Sequence, residues 1–376
     1  MEMPVVTLPD VRSLDSLSFR DLLPAHGTIY ADQNWGEKPQ GPPVVYVRRN
    51  RVLAAVSGWL GNWPFLGAAA QAASDLEFAC RLLVQSCKTG SVGLLGGDRA
   101  QLLFCLLRSF LRTPGSVVLW EVHLYPESGL KKKLLRRALT SATIVVYSRR
   151  TAENYCREFQ LPADNIVVVP YKANHSKYEP ERPLMRGDYV FSGGNSDRDY
   201  RTLLQAVEGL EIPLVVSTTL RGLTRGLSTP PNVILIRAEE PHFRRLMAAA
   251  RLVVVPLTAG RLRLAGVASF LNAMWHGRPV ICADDVAASE YIESGIDGIV
   301  VGPGDVAALR DAIRNLWEDR PKAEAMGQAA QAKVRTAYTH DLFCERMLKL
   351  ACLLCLEETG RATLLYRSSS VRSVAQ

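Results

Sequence analysis

A chain of 376 residues is too long for one ordinary core, so two domains are expected, and 48% hydrophobic with 22% charged residues describes a soluble globular protein with material for both. No apolar run approaches the roughly 20 residues of a spanning helix, and MEMPVVTLPDVRSLD lacks the basic and apolar regions of a signal peptide. The net charge of +8 calls for an anionic partner, but no motif or aromatic-interleaved basic strand points to nucleic acid.

Residues 1–43 are rich in Pro, Asp and Gly and read as partly irregular. From Val44 the chain alternates. Apolar strands are predicted at Val44–Val47, Val92–Leu95, Val117–Trp120, Thr143–Tyr147 and Ile166–Val169, with helices at 66–88, 98–112, 128–141 and 151–160 between them. PERPLMRGD, around Pro180–Asp188, breaks the pattern as a linker. The alternation resumes with strands at Tyr189–Ser192, Leu214–Ser217, Val233–Ile236, Leu252–Val255, Pro279–Cys282 and Gly298–Val301, and helices at 198–209, 241–250, 266–277, 305–318 and 321–337. This is the signature of two tandem doubly wound α/β domains, 1–183 and 184–338, with a ligand cleft between them. A last apolar helix, 339–358, is expected to dock across the domains, and 359–376 reads as a flexible tail.

The eight cysteines sit mostly in apolar periodic segments, as small hydrophobes of a cytoplasmic protein. Cys352 and Cys355 form a CxxC with no second ligand pair nearby, so packing is expected there rather than metal or redox chemistry. Trp59 and Trp63 are read as half-buried core, with an acceptor surface or membrane anchor as the alternative.

In SGLKKKLLRRAL, a helical winding places Leu130, Leu134, Leu135, Ala138 and Leu139 on one broad face and Lys132, Lys133, Arg136 and Arg137 on the other. That pattern suits a helix lying on an anionic membrane surface. It equally suits the solvated outer face of a helix packed on a sheet.

The segment DYVFSGGNSDRDYRTLLQA reads as a buried strand, a turn at Gly193 and Gly194, and a helix opening near Arg198. Glycines admit a ligand close to backbone N–H groups, a helix N-terminus adds partial positive charge, and Arg198 supplies the full charge a diphosphate wants. A second glycine-marked helix and strand follows in AGVASFLNAMWHGRPVICADD. Two such elements in one half point to a nucleotide-diphosphate enzyme.

With these residues in place, the C-terminal half, Tyr189–Phe343, resembles the group 1 (family 4) glycosyltransferases of the GT-B fold. The resemblance rests on FSGGNSDRDYRTLLQA, RRLMAAARLVVVPL, AGVASFLNAMWHGRPVI, SEYIESGIDGIVVGPGD and AALRDAIRNLWED, which occur in the family's order. The first half matches loosely, through Val117–Tyr147 and NIVVVPY. The resemblance implies transfer of a sugar from a nucleotide donor to an acceptor, with retention, without an essential metal and with no further cofactor. It assigns the donor diphosphate to Arg198, with Gly193 and Gly194 giving close approach, and to the loop Gly266, Val267, Ala268 and Ser269. Asn272 stands where the family holds the ribose, Glu290 at an acidic position near the donor, and His123 where a histidine faces the donor sugar; Glu121 is a rival acid. Arg198 and backbone donors are expected to stabilise the leaving diphosphate, with little protein acid–base chemistry in that step.

The family's two glutamates, separated by seven residues, are here Leu264 and Asn272. Asn272 can still hydrogen-bond, whereas Leu264 cannot replace a carboxylate. Arg261 and Arg263 offer further phosphate ligands. The loss of both glutamates supports an alternative, a GT-B scaffold without catalysis that partners or activates another transferase. A third reading is a nucleotide-sugar epimerase. The acceptor is open: lipid-linked, polysaccharide or other.

Overall fold

The computed structural model describes residues 28–32, 44–50, 55, 57, 64–88, 90–178, 187–260, 262, 264–284 and 288–358. Trp59, Trp63, Arg261, Arg263, most of the linker and the tail lie outside them. The chain divides into two compact units: Met1–Val146, Ala152–Val169 and Cys344–Gln376 form the first, Tyr147–Thr151 and Pro170–Phe343 the second.

The first unit holds β1 (Thr28–Asp32), β2 (Val44–Val47), β3 (Ser91–Gly96), β4 (Ser116–Trp120), β5 (Thr143–Val146) and β6 (Ile166–Val168). All run parallel, in the order β2-β1-β3-β4-β5-β6. β1 falls within the stretch expected to be partly irregular and lies inside the sheet, with Ile29 opposite both Val44 and Val92. Its order comes from these two neighbours, since TIYAD is short and sits among turn-forming residues. The helices are α1 (Pro64–Ser86), α2 (Arg99–Leu111), α3 (Gly129–Leu139) and α4 (Arg149–Phe159), the first three residues of α4 belonging to the second unit.

α3 does not present the faces its sequence implies. Ala138 and Leu139 are buried and Leu135 and Lys132 half-buried, whereas Leu130 and Leu134 are exposed together with Lys133 and Arg137. The cause is its packing on α2, where Ser141 donates to the Cys105 carbonyl and Arg137 to Ser109. Positions 130, 133, 134 and 137 form one stripe at helical spacing, and this stripe faces away from the core.

The second unit holds β7 (Val190–Gly193), β8 (Leu214–Ser217), β9 (Val233–Ile236), β10 (Leu252–Val255), β11 (Val280–Ala283) and β12 (Ile299–Val301), also all parallel, in the order β12-β11-β10-β7-β8-β9. Its helices are α5 (Tyr200–Val207), α6 (His242–Ala249), α7 (Val267–Trp275), α8 (Ala288–Tyr291), α9 (Val306–Glu318) and α10 (Arg320–Ala337). These strands read as continuous apolar runs because both faces are covered. Phe191, Val253 and Val255 pack on one side with Phe270 and Met274 of α7. Val190, Leu252 and Val254 alternate to the other side, against Leu203 of α5 and Ile313 of α9. Asp199, Asp305 and Asp319 cap α5, α9 and α10 by accepting N–H bonds three residues on.

α11 (His340–Glu358) starts in the second unit and continues from Cys344 in the first. None of the eight cysteines forms a disulfide. Cys352 and Cys355 are buried; burial pushes the Cys352 thiol up to about 12, and the Cys355 thiol donates to the Gly90 carbonyl at 3.3 Å. Both act as packing groups. No helix among the described residues is long and apolar enough to cross a membrane.

Candidate functional site: a buried arginine at the switch point of the second sheet

Read outward from β7, the strand order of the second sheet reverses between β7 and β10. The helices that follow these two strands, α5 and α7, pack on opposite faces of the sheet, and ligands of doubly wound sheets gather at such a switch point. The loop after β7 carries Gly194, Ser196, Asp197 and Arg198. It pairs back on the segment after β10, through an antiparallel bridge between Arg198 and Leu257 and backbone bonds from Asp199 to Pro256 and from Thr258 to Asp197. Asn195 ties the same loop to Thr218 and Thr219 beyond β8.

This framework holds the Arg198 side chain inside the protein, 6% exposed. Its Nε donates to the Gly193 carbonyl at 3.2 Å, Nη1 to the Ser196 carbonyl at 2.6 Å and Nη2 to Ser269 Oγ at 2.7 Å. The three acceptors are neutral, and no carboxylate pairs with the guanidinium among the described residues. Burial lowers its pKa, opposed by the Tyr200 hydroxyl, the Cys282 thiol and, least, the neighbouring Asp197 carboxylate. A buried cation without an anion is costly, and a bound anion relieves that cost. The expectation of an arginine within a helix start is refined: α5 begins at Tyr200, behind the Asp199 cap.

The glycines have distinct reasons. A Cβ on Gly194, whose φ is +124°, would lie 2.6 Å from Arg198 Nη2. A Cβ on Gly193 would lie 2.5 Å from the Phe243 ring. Gly266, the N-cap of α7 at φ +75°, fits against Val255 and Leu257, where a Cβ would meet Val255 at 2.9 Å. Ser269 N–H returns to the Gly266 carbonyl. The Val267 and Ala268 N–H groups that open α7 have no acceptor among the described residues, as expected at a helix N-terminus. Arg198 and α7 therefore bring a full charge and a helix N-terminus to one place. A small hollow bordered by Asp199, Pro256, Leu257, Ala283 and Gly302 opens at the same edge of the sheet.

Asn272, three residues after Ser269, is 7% exposed, and its Oδ1 accepts from the His175 N–H at 2.9 Å. That bond fixes the amide's orientation, leaving its NH₂ without a protein acceptor among the described residues. His175, which carries no local motif, is built into a chain of contacts: Nδ1 lies 3.0 Å from His276 Nε2 and Nε2 lies 3.2 Å from Glu240 Oε1. Burial, with His175, Arg244 and Arg278 adding to it, pushes the His276 pKa down to about 3. Leu264 is packed in the hydrophobic core beside α7 rather than facing a ligand.

Glu290, in α8, is exposed, and its carboxylate accepts from the Arg149 and Arg150 N–H groups at 2.9 and 3.2 Å. It caps the start of α4, where negative charge is favoured. His123 is an exposed residue of the first unit, two positions past Glu121, which has a left-handed φ of +54°. Among the described residues, no comparable cation lies at the switch point of the first sheet, between β1 and β3. There the buried Asp32 carboxylate accepts from Gly96 N–H at 2.8 Å and Gln101 Nε2 at 2.7 Å, consuming the turn N–H that a phosphate would need. Of the basic residues of α3, Lys132 pairs with Glu158 at 2.8 Å, Arg136 contacts Gln160 at 2.9 Å, Arg137 contacts Ser109, and Lys133 is exposed. No cluster of three or more His, Cys, Asp or Glu able to hold a metal ion occurs among the described residues.

Residues 208–319 match the family model described as glycosyl transferases group 1. A curated relative, D-rhamnosyltransferase WbpZ of Pseudomonas aeruginosa, is 30% identical over 144 residues, 36% of this chain and 37% of that protein. An exopolysaccharide phosphotransferase of Streptomyces coelicolor is 32% identical over 112 residues, 30% of this chain and 12% of that protein. Both alignments span well under half of these relatives. Among solved structures, Anabaena HepE in complex with UDP and glucose superposes with a TM-score of 0.61 at 16% identity, over 86% of this chain and 99% of that one. A glycosyltransferase from Rickettsia africae gives a TM-score of 0.61 at 12% identity, over 89% and 99%. At such identities the likeness is one of fold.

Proposed function

We propose that the protein, a chain of GT-B fold whose residues 208–319 match the model described as glycosyl transferases group 1, transfers a sugar from a nucleotide-diphosphate donor to an acceptor. The observation that carries this reading is the buried Arg198 guanidinium, held by three neutral oxygens at the switch point of the second sheet. In the reaction the bond between the sugar's anomeric carbon and the diphosphate oxygen breaks, the bonding pair leaves with the diphosphate, an acceptor hydroxyl oxygen bonds to the carbon, and that hydroxyl's proton passes to the departing diphosphate. Charge grows on the diphosphate in that step. Arg198 and the N–H groups at Val267 and Ala268 are the charge and fixed dipoles that stabilise it without reorganising. Ser269 holds the guanidinium in place, and the Asn272 amide donates to the nucleoside's sugar. Glu290 serves by holding Arg149 and Arg150 rather than as an acid.

Retention of configuration, independence of an essential metal ion, a lipid-linked or polysaccharide acceptor and a cytoplasmic setting belong to the same proposal. They follow from the family resemblance and, for the setting, from eight cysteines that form no disulfide. The test is product formation: the purified chain is incubated with UDP-, GDP-, ADP- and dTDP-sugars and candidate acceptors, with and without EDTA. A glycosylated product of unchanged anomeric configuration, lost in Arg198→Ala, supports the reading, and His123→Ala in the same assay tests that residue's part. Nucleotide binding without turnover on any acceptor favours the second reading, a scaffold that assists another transferase. The burial of Leu264 where the family carries a glutamate is the observation in its favour.

A further inference from the structure

The first unit carries an apolar surface strip that its fold does not use. Leu130 and Leu134 of α3 are 71% and 37% exposed, and Phe110 and Leu111, at the end of α2, are 57% and 64% exposed. The two helices run in opposite directions, since Arg137 reaches Ser109 while Ser141 reaches Cys105. Phe110 and Leu111 therefore lie alongside the Leu134 turn. The Arg137 guanidinium bridges the helices by stacking over the Phe110 ring, 4.0 Å from its centroid, and donating to Ser109. Exposed cations border the strip: Lys133 and Arg136 on α3 and Arg112 just past α2, with Lys131 beside them paired to Glu127.

We propose that this α2–α3 strip seats the protein on the surface of an anionic lipid bilayer, with Leu130, Leu134, Phe110 and Leu111 entering the headgroup boundary. Lysine and arginine stems lie along apolar surface and carry their charges up to the lipid phosphates, so the two residue classes work together at such a boundary. Other occupants fit less well. A second copy docked face to face would set the same cations against one another. Nucleic acid would use the cations but leave four large apolar side chains without a role. The proposal rests on the transferase reading only for its link to a lipid-linked acceptor; vesicle binding is measured without donor, so either can fail alone.

The experiment is flotation of the full chain with phosphatidylcholine vesicles, with or without about one-third phosphatidylserine. Binding is expected only to the anionic vesicles. It should weaken as salt shortens the Debye length from about 10 Å at 0.1 M to about 3 Å at 1 M. The double variant Leu130→Ser, Leu134→Ser and the double variant Lys133→Gln, Arg136→Gln should each reduce binding on the order of tenfold. Both are surface changes, and melting temperatures should stay near that of the parent. Absence of flotation with anionic vesicles overturns the proposal. So does undiminished binding by the leucine variant, which would reduce the contact to charge alone. A dimer that is lost in the leucine variant, without vesicle binding, would assign the strip to a second copy instead.

Discussion

Arg198 Nη2 donates to Ser269 Oγ at 2.7 Å, joining the loop after β7 to the first turn of α7 across 71 residues of sequence. The bond places a buried guanidinium beside a helix N-terminus at the one edge of the second sheet where strand order reverses. Neither partner alone makes an anion site.

Replacing Arg198 by Ala should abolish nucleotide binding and lower turnover on the order of 10²-fold or more, because the charge that stabilises the leaving diphosphate is gone. Ser269→Ala leaves the bonds to Gly193 and Ser196 intact. It should weaken nucleotide binding only about tenfold, the size of one hydrogen bond to a charged group. Calorimetric titration of both variants checks the order; equal losses would mean that Ser269 itself binds the ligand.

Gly194→Ala should damage the site more than the fold. The new Cβ would press on Arg198 Nη2, while the left-handed backbone costs about 1–2 kcal/mol. Gly209, also at positive φ but with open space around it, supplies the control. Gly209→Ala should lose similar stability and keep nucleotide affinity. Equal affinities for the two variants would dissociate Gly194 from the guanidinium's placement.

His276 links the site to pH. Its folded pKa, about 3, lies below the ordinary 6.5, with burial the main cause. In the unfolded chain the ring takes a proton below pH 6.5, while in the fold it stays neutral. Its contribution to stability is thus complete above 6.5 and lost as pH falls towards 3. Urea unfolding of the parent should show stability declining through that window, and His276→Gln should decline less steeply. Parallel curves would remove His276 as a source of the slope.

Leu264→Glu, which puts a glutamate where the resembling group 1 glycosyltransferases carry their first, should destabilise rather than activate. Leu264 sits in the core among residues of α7 and β10, so an unpaired carboxylate there costs several kcal/mol or forces its own protonation. A melting temperature like that of the parent, together with higher turnover, would show that the loop opens and that position 264 reaches the donor.

The second unit was largely legible from sequence because parallel strands covered on both faces are unbroken apolar runs punctuated by glycine. Gly193, Gly194 and Gly266 mark places where a side chain would collide or strain, and that necessity is visible in one dimension. β1 was not legible: TIYAD gains its structure from β2 and β3 rather than from its own pattern. The faces of α3 were misassigned because a helical wheel groups all five apolar residues, whereas contact with α2 selects Leu135, Ala138 and Leu139 and leaves Leu130 and Leu134 outside. The His175–His276 contact joins residues 101 apart, and no local spacing announces it. The sequence marks Ser269 only as part of a backbone loop; its hydroxyl's role depends on Arg198 reaching it from 71 residues away.

The most direct measurement is a thermal-shift panel of UDP, GDP, ADP, dTDP and CMP on the parent protein and on Arg198→Ala. A ligand at one hundred times its Kd stabilises the folded state by about 2.7 kcal/mol. A clear shift with one nucleoside diphosphate, absent in Arg198→Ala, is the expected result and places the donor at the switch point of the second sheet. A shift of equal size in both proteins, or none with any nucleotide, would contradict a donor site built on Arg198.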